Sequence, residues 1–171
     1  MLTLLTVLAV VVADQVSKML VVRYIPLNAE VEFIPFFINL THVENEGASF
    51  GMLSGHRWIF LLFSAIAIIG IIIFLVKQHK RHTLLTISLS FILGGGIGNM
   101  IDRIFRTAVV DFFEFTFVRF AIFNVADMFI TFGAILLGVY AIFYDKKVEE
   151  GLREKEHNEP DENTDLTGRQ G

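Results

Sequence analysis

The sequence predicts a mainly α-helical membrane protein, with four transmembrane helices and a small outer sheet. Three observations carry this. Of the 171 residues, 54% are apolar, more than a water-soluble domain of this size usually holds. The apolar residues gather into four runs that each reach about 20 positions, one bilayer crossing as a helix. Two of the segments between the runs alternate apolar and polar residues with the period of a strand.

The first run extends from Leu2 to Ala13, is interrupted by Asp14, and continues to Val22. No Lys or Arg precedes it and no small-residue cleavage site follows, so it reads as a retained anchor and not a signal peptide. The chain then enters an outer segment, residues 24–57, in which "EVEF" and "INLT" alternate as short strands. The second run is Trp58 to Val76 and the third Leu84 to Ile101. A second outer segment, residues 104–120, contains "VVDFFEFTFVRF", where Phe113, Phe115 and Phe117 alternate with Glu114 and Thr116. Nine of the 18 phenylalanines lie between Phe105 and Phe132, as expected of a sheet resting an aromatic face on the membrane interface. The fourth run is Ala121 to Tyr144. Residues 1–144 therefore form the membrane domain. Residues 145–171 form an acidic cytoplasmic tail, too polar to bury a core and expected to be disordered.

The net charge of −4 resides in that tail, which holds nine acids against five bases. No basic patch points to nucleic acid. The sequence "KQHKRH" between the second and third runs, with Lys146 and Lys147 after the fourth, clusters five Lys/Arg at membrane ends on one side. By the positive-inside rule both termini are cytoplasmic. Cysteine is absent, which excludes disulfides, thiol nucleophiles and thiolate metal sites. His79 and His82 lie in a solvated loop, so no metal site is expected and no cofactor is implied.

Ionisable residues at membrane depth are costly and mark function by default. Asp14 and Lys18, at i and i+4, share a helix face and can pair; a structural ion pair without chemistry accounts for them. The third run ends in "GGGIGNMIDRIFR". Its glycines suit close helix packing, and Asn99, Asp102 and Arg103, at i, i+3 and i+4, form a polar brace on one face. Asn124 and Asp127 head the fourth run, and Asp111 lies just before it. Two carboxylates brought together share one proton, so that one can act as base towards water while the other polarises a carbonyl. The residues alone leave two readings open, an aspartic pair and a small proton-coupled transporter. A lipid-binding membrane protein without enzymatic activity is a third class, but it has no need of two converging acids. "GASFG" at 47–51 matches the G-x-S-x-G of serine hydrolases, yet it lacks the strand-turn-helix setting and the downstream Asp and His order.

Taken together, "DQVSK" (14–18), "NEGASF" (45–50), "GGGIGNMIDR" (94–103), "VVDF" (109–112) and "FNVAD" (123–127) resemble the five sequence blocks of the lipoprotein signal peptidases, the signal peptidase II family. The resemblance implies four transmembrane helices, an outer β-rich cradle and a short outer helix. It implies an intramembrane aspartic endopeptidase that cuts lipid-modified bacterial prolipoproteins before the diacylglyceryl-cysteine, acting as a monomer in the cell membrane with its site towards the outer face. It also implies Asp111 and Asp127 as the catalytic pair. Asp14, Lys18, Asn45, Gly47, Asn99, Asp102, Arg103, Asn124 and Ala126 would then line or brace the site. Ser49 falls where relatives often have alanine, against a role as nucleophile.

Overall fold

A computed structural model describes residues 1–47, 57–77 and 82–144. The acidic tail and Ser49 lie outside the described residues. Among the described residues are four helices, α1 (Leu2–Tyr24), α2 (Arg57–Lys77), α3 (Thr83–Phe105) and α4 (Val125–Phe143), and three strands, β1 (Glu30–Ile34), β2 (Ile38–Asn45) and β3 (Val109–Phe115). Each helix is long and apolar enough to cross a membrane, and the chain is a multi-pass membrane protein. The short outer helix is not found among the described residues. By contacts the chain parts into Met1–Leu137 and Gly138–Gly171. In the second unit the rings of Tyr140 and Tyr144 lie parallel, 6.5 Å apart.

Within the first unit α3 is the hub: half of its apolar window is buried, against 6% for α2. Its glycines make this possible. A methyl group on Gly94 would stand 2.8 Å from Val10 Cβ, and one on Gly98 would stand 2.5 Å from Asp14 Oδ2. Both positions let α1 approach to backbone distance. A methyl on Gly95 would collide with the Ala126 carbonyl. Polar groups on α3 are satisfied locally, as lipid demands: Ser88 Oγ donates to the Leu84 carbonyl at 2.8 Å and Ser90 Oγ to that of Thr86 at 2.6 Å.

The strands form one antiparallel sheet in the order β1-β2-β3. Val21 and Ile25, at the end of α1, form a buried cluster with Val110 and Phe112 of β3, which fastens the sheet to the helices. This explains a departure from simple alternation. Val109 to Phe112 are all buried, because one face of β3 packs on α1 while the other carries part of the site. The alternation suggests a strand as far as Phe120, but β3 ends at Phe115. Its partner β2 begins at Ile38, opposite Phe115, and after one more backbone bond, from the Thr116 N–H to the Phe37 carbonyl, the β1–β2 turn carries the partner chain away. The fourth helix also starts later than its apolar run. Phe123 exchanges backbone hydrogen bonds with Phe113, which ties it to the edge of β3, and the helix begins at Val125.

Candidate active site

The helix start supplies the first part of the site. Asn124 Oδ1 accepts the Asp127 N–H at 3.0 Å, and Asp127 Oδ2 accepts the Asn124 N–H at 3.2 Å. This reciprocal pair is a capping box, with Asn at the cap and Asp three residues on. It satisfies two backbone donors and fixes the Asp127 carboxylate at the helix end. Asp111 arrives from β3, 3% exposed, where it pairs in register with Val43 beyond a bulge in β2. Asn124 Nδ2 donates to Asp111 Oδ1 at 2.6 Å, and Asn45 Nδ2 donates to Asp111 Oδ2 at 2.8 Å. Asn99 Nδ2 donates to Asp127 Oδ1 at 2.8 Å. Every oxygen of the two carboxylates thus receives an N–H.

Asp111 and Asp127 line one cavity of about 660 Å³, together with Asn45, Gly47, Asn99 and Arg103. Apolar side chains, among them Phe60, Phe120, Met128 and Ile130, form much of the remaining wall. A cavity of this size and mixed lining suits an extended, partly apolar ligand.

Behind it lies a charged layer with no exposure. Lys18 Nζ stands 2.9 Å from Asp14 Oδ2 and 2.8 Å from Asp102 Oδ2, and all three side chains are fully buried. Asp14 Oδ1 accepts the Ala126 N–H at 2.9 Å. A carboxylate from α1 therefore sits on the N-terminal turn of α4, where free backbone donors and the helix dipole favour it.

The spacing argument for Asp14 and Lys18 is met by this pair. The triplet on α3 divides instead of acting as one brace. Asp102 turns to Lys18, while Arg103 faces the cavity with its guanidinium 5.2 Å from the centre of the Phe60 ring. Asn99 joins the two layers. Gly47 and Ala126 contribute backbone N–H groups, to Asn45 Oδ1 and to Asp14. Two residues escape the sequence reading. Gln15 Nε2 reaches Asp14 Oδ2 at 3.1 Å and the Gly98 carbonyl at 3.2 Å; its polarity at membrane depth, beside Asp14, was the available signal. Phe60 gave none, since only the packing of α2 brings it under Arg103.

Burial raises the Asp111 carboxyl from 3.8 to about 6, and the neighbouring Asp127 charge pushes the same way against the hydrogen bonds from Asn45 and Asn124. Folded Asp111 therefore keeps its proton up to pH about 6, whereas the unfolded chain releases it near 3.8. Between these values the folded state binds more protons, so stability falls as pH rises through the window. Asp111→Asn does not titrate. Its stability relative to the parent is expected to rise by about 2 kcal/mol between pH 4 and pH 7. Chemical denaturation of both proteins at the two pH values measures this; a pH-independent difference contradicts it.

A multi-pass membrane protein with a buried polar site capped by a small sheet is the class defined by this architecture. The comparisons with known proteins are more specific. The family model for signal peptidase (SPase) II matches residues 6–143. The chain is 42% identical over 149 residues to a lipoprotein signal peptidase of Symbiobacterium thermophilum, covering 86% of this chain and 98% of that protein. It is 44% identical over 140 residues to that of Brevibacillus brevis, covering 81% and 93%. Among solved structures, a bacterial membrane enzyme determined by the in meso method at 2.3 Å resolution superposes with a TM-score of 0.75 at 30% identity, covering 94% of this chain and 93% of the other. A second bacterial membrane enzyme, determined by the same method at 1.9 Å, gives 0.76 at 33% identity, covering 84% and 93%. The chain belongs to the signal peptidase II family.

Proposed function

We propose that this protein removes signal peptides from lipid-modified bacterial prolipoproteins, acting as an intramembrane aspartic endopeptidase that cuts before the diacylglyceryl-cysteine. The observation that carries the reading is the meeting of Asp111, from β3, and Asp127, from the first turn of α4, on one cavity, each held by asparagine amides. One carboxylate takes a proton from water as it attacks the scissile carbonyl, and the other, protonated, donates to the carbonyl oxygen. The first carboxylate, now protonated, passes that proton to the leaving nitrogen as the C–N bond breaks, while the second takes a proton back from a hydroxyl of the tetrahedral intermediate, so the pair holds one proton at the start and end of the cycle. Arg103 and the asparagines orient the peptide, and the apolar wall accommodates its lipid and signal-helix portions. No acyl-enzyme forms.

The proposal is tested by incubating the purified protein, as a monomer in detergent or nanodiscs, with a precursor peptide carrying diacylglyceryl-cysteine. Mass spectrometry is expected to show one cut, leaving the modified cysteine as the new N-terminus. Cleavage elsewhere, or equal cleavage of the unmodified peptide, would overturn it.

The site is proposed to face the outer surface, so that water reaches the carboxylates while the signal helix stays in lipid. Reporter fusions at residue 79 and after residue 147 are expected to register both positions as cytoplasmic. An outside signal at either one reverses the orientation.

A further inference from the structure

A primary amide can present either of its ends, and which end faces an acid is decided by a partner that can only donate. Each of the three asparagines around the carboxylates has such a partner. Asn45 Oδ1 accepts the Gly47 N–H at 3.0 Å, so its Nδ2 faces Asp111. Asn124 Oδ1 accepts the Asp127 N–H at 3.0 Å, so its Nδ2 also faces Asp111. These two settings come from the nearby backbone. The third comes from a side chain on another helix: Lys18 Nζ donates to Asn99 Oδ1 at 2.9 Å, which leaves Asn99 Nδ2 to meet Asp127 Oδ1 at 2.8 Å. A reversed Asn99 amide would set two oxygens against each other at that distance. Asn124 Nδ2 gives its second N–H to Asn99 Oδ1 at 3.1 Å, a longer bond from a neutral donor and weaker than the one from the ammonium.

We infer that Lys18 is a positioning residue for Asp127, acting through Asn99 by fixing which end of that amide the carboxylate meets. This rests on the reading of Asp111 and Asp127 as the acting pair. It also gives a reason for a buried lysine at membrane depth, where an apolar side chain would fill the space without two counter-charges. Asp14 and Asp102 hold the ammonium on either side, and the remaining donor is aimed at Asn99. The lysine thereby links the charged layer between α1 and α3 to the reacting end of α4.

The test is a double-mutant cycle on precursor cleavage with Lys18→Met, Asn99→Ala and the combined variant, reading kcat and KM separately beside thermal melting. If Lys18 acts through Asn99, Lys18→Met is expected to lower kcat by about 10-fold or more with KM nearly unchanged, and the combined variant to be no slower than Asn99→Ala alone. Losses that multiply, or a fall in melting temperature with kcat retained, overturn the inference. If Lys18→Met does not fold because Asp14 and Asp102 are left facing each other, Lys18→Met is replaced in the cycle by Lys18→Met/Asp14→Asn/Asp102→Asn, in which no charge is stranded, compared with the parent with and without Asn99→Ala, and the same two outcomes apply. Asp127→Asn in the same assay separates the failures. Near-parental turnover by Asp127→Asn removes the underlying reading, whereas an inactive Asp127→Asn with multiplying losses removes only the role of Lys18.

Discussion

Asp127→Asn and Asp111→Asn are each expected to reduce precursor turnover by at least about a thousandfold, because each removes one half of a proton shuttle that water and carbonyl both need. Asparagine keeps the size of the side chain but can neither accept the water's proton nor hold the shared one. The fold is expected to survive. Asn at 111 relieves a buried carboxyl that burial and Asp127 disfavour, and Asn at 127 keeps an oxygen for the capping exchange with Asn124. Loss should therefore appear in kcat, with binding of intact precursor little changed. A peptide mimicking the tetrahedral intermediate is expected to lose far more affinity than the precursor, since the pair contacts only the reacting centre. Equal loss for both ligands would mean that the carboxylates bind substrate without acting on it.

The largest effect on stability is expected at Asp14. Asp14→Ala removes one of the two carboxylates that hold the buried Lys18 ammonium, and it strips the acceptor from the Ala126 N–H. Breaking a buried pair by removing one partner costs about 3 to 5 kcal/mol. Asp14→Asn keeps an oxygen for Ala126 and is expected to lose less. Thermal melting of the purified variants in one detergent gives the order parent, Asn, Ala. Activity that disappears from Asp14→Ala with an unchanged melting temperature would move Asp14 into the chemistry.

The helices were legible because lipid imposes a strict length and composition on them, and α1, α2 and α3 fall within a few residues of their apolar runs. Asp14 and Lys18 were legible for a related reason: an i, i+4 pair is fixed by one helix alone. The two errors arose where neighbours decide. The end of β3 depends on where β2 starts, and the start of α4 on a bridge between Phe113 and Phe123. Neither partner is visible in local periodicity. Spacing also could not divide Asp102 from Arg103, since i+3 and i+4 lie on one face and only the position of Lys18, on α1, draws Asp102 away. The expectation that Asp111 and Asp127 act as a pair came from the resemblance, not from spacing, because their meeting on one cavity depends on the Asn124 cap that joins the start of α4 to β3.

The most direct measurement of the central claim is single-turnover cleavage of the lipid-modified precursor by the parent, the two single Asp→Asn variants and the double variant, all of confirmed fold. If the two carboxylates act as one unit, the double variant is expected to be within about threefold of the slower single one. Losses that multiply across the two positions, or near-parental turnover by either single variant, would contradict it.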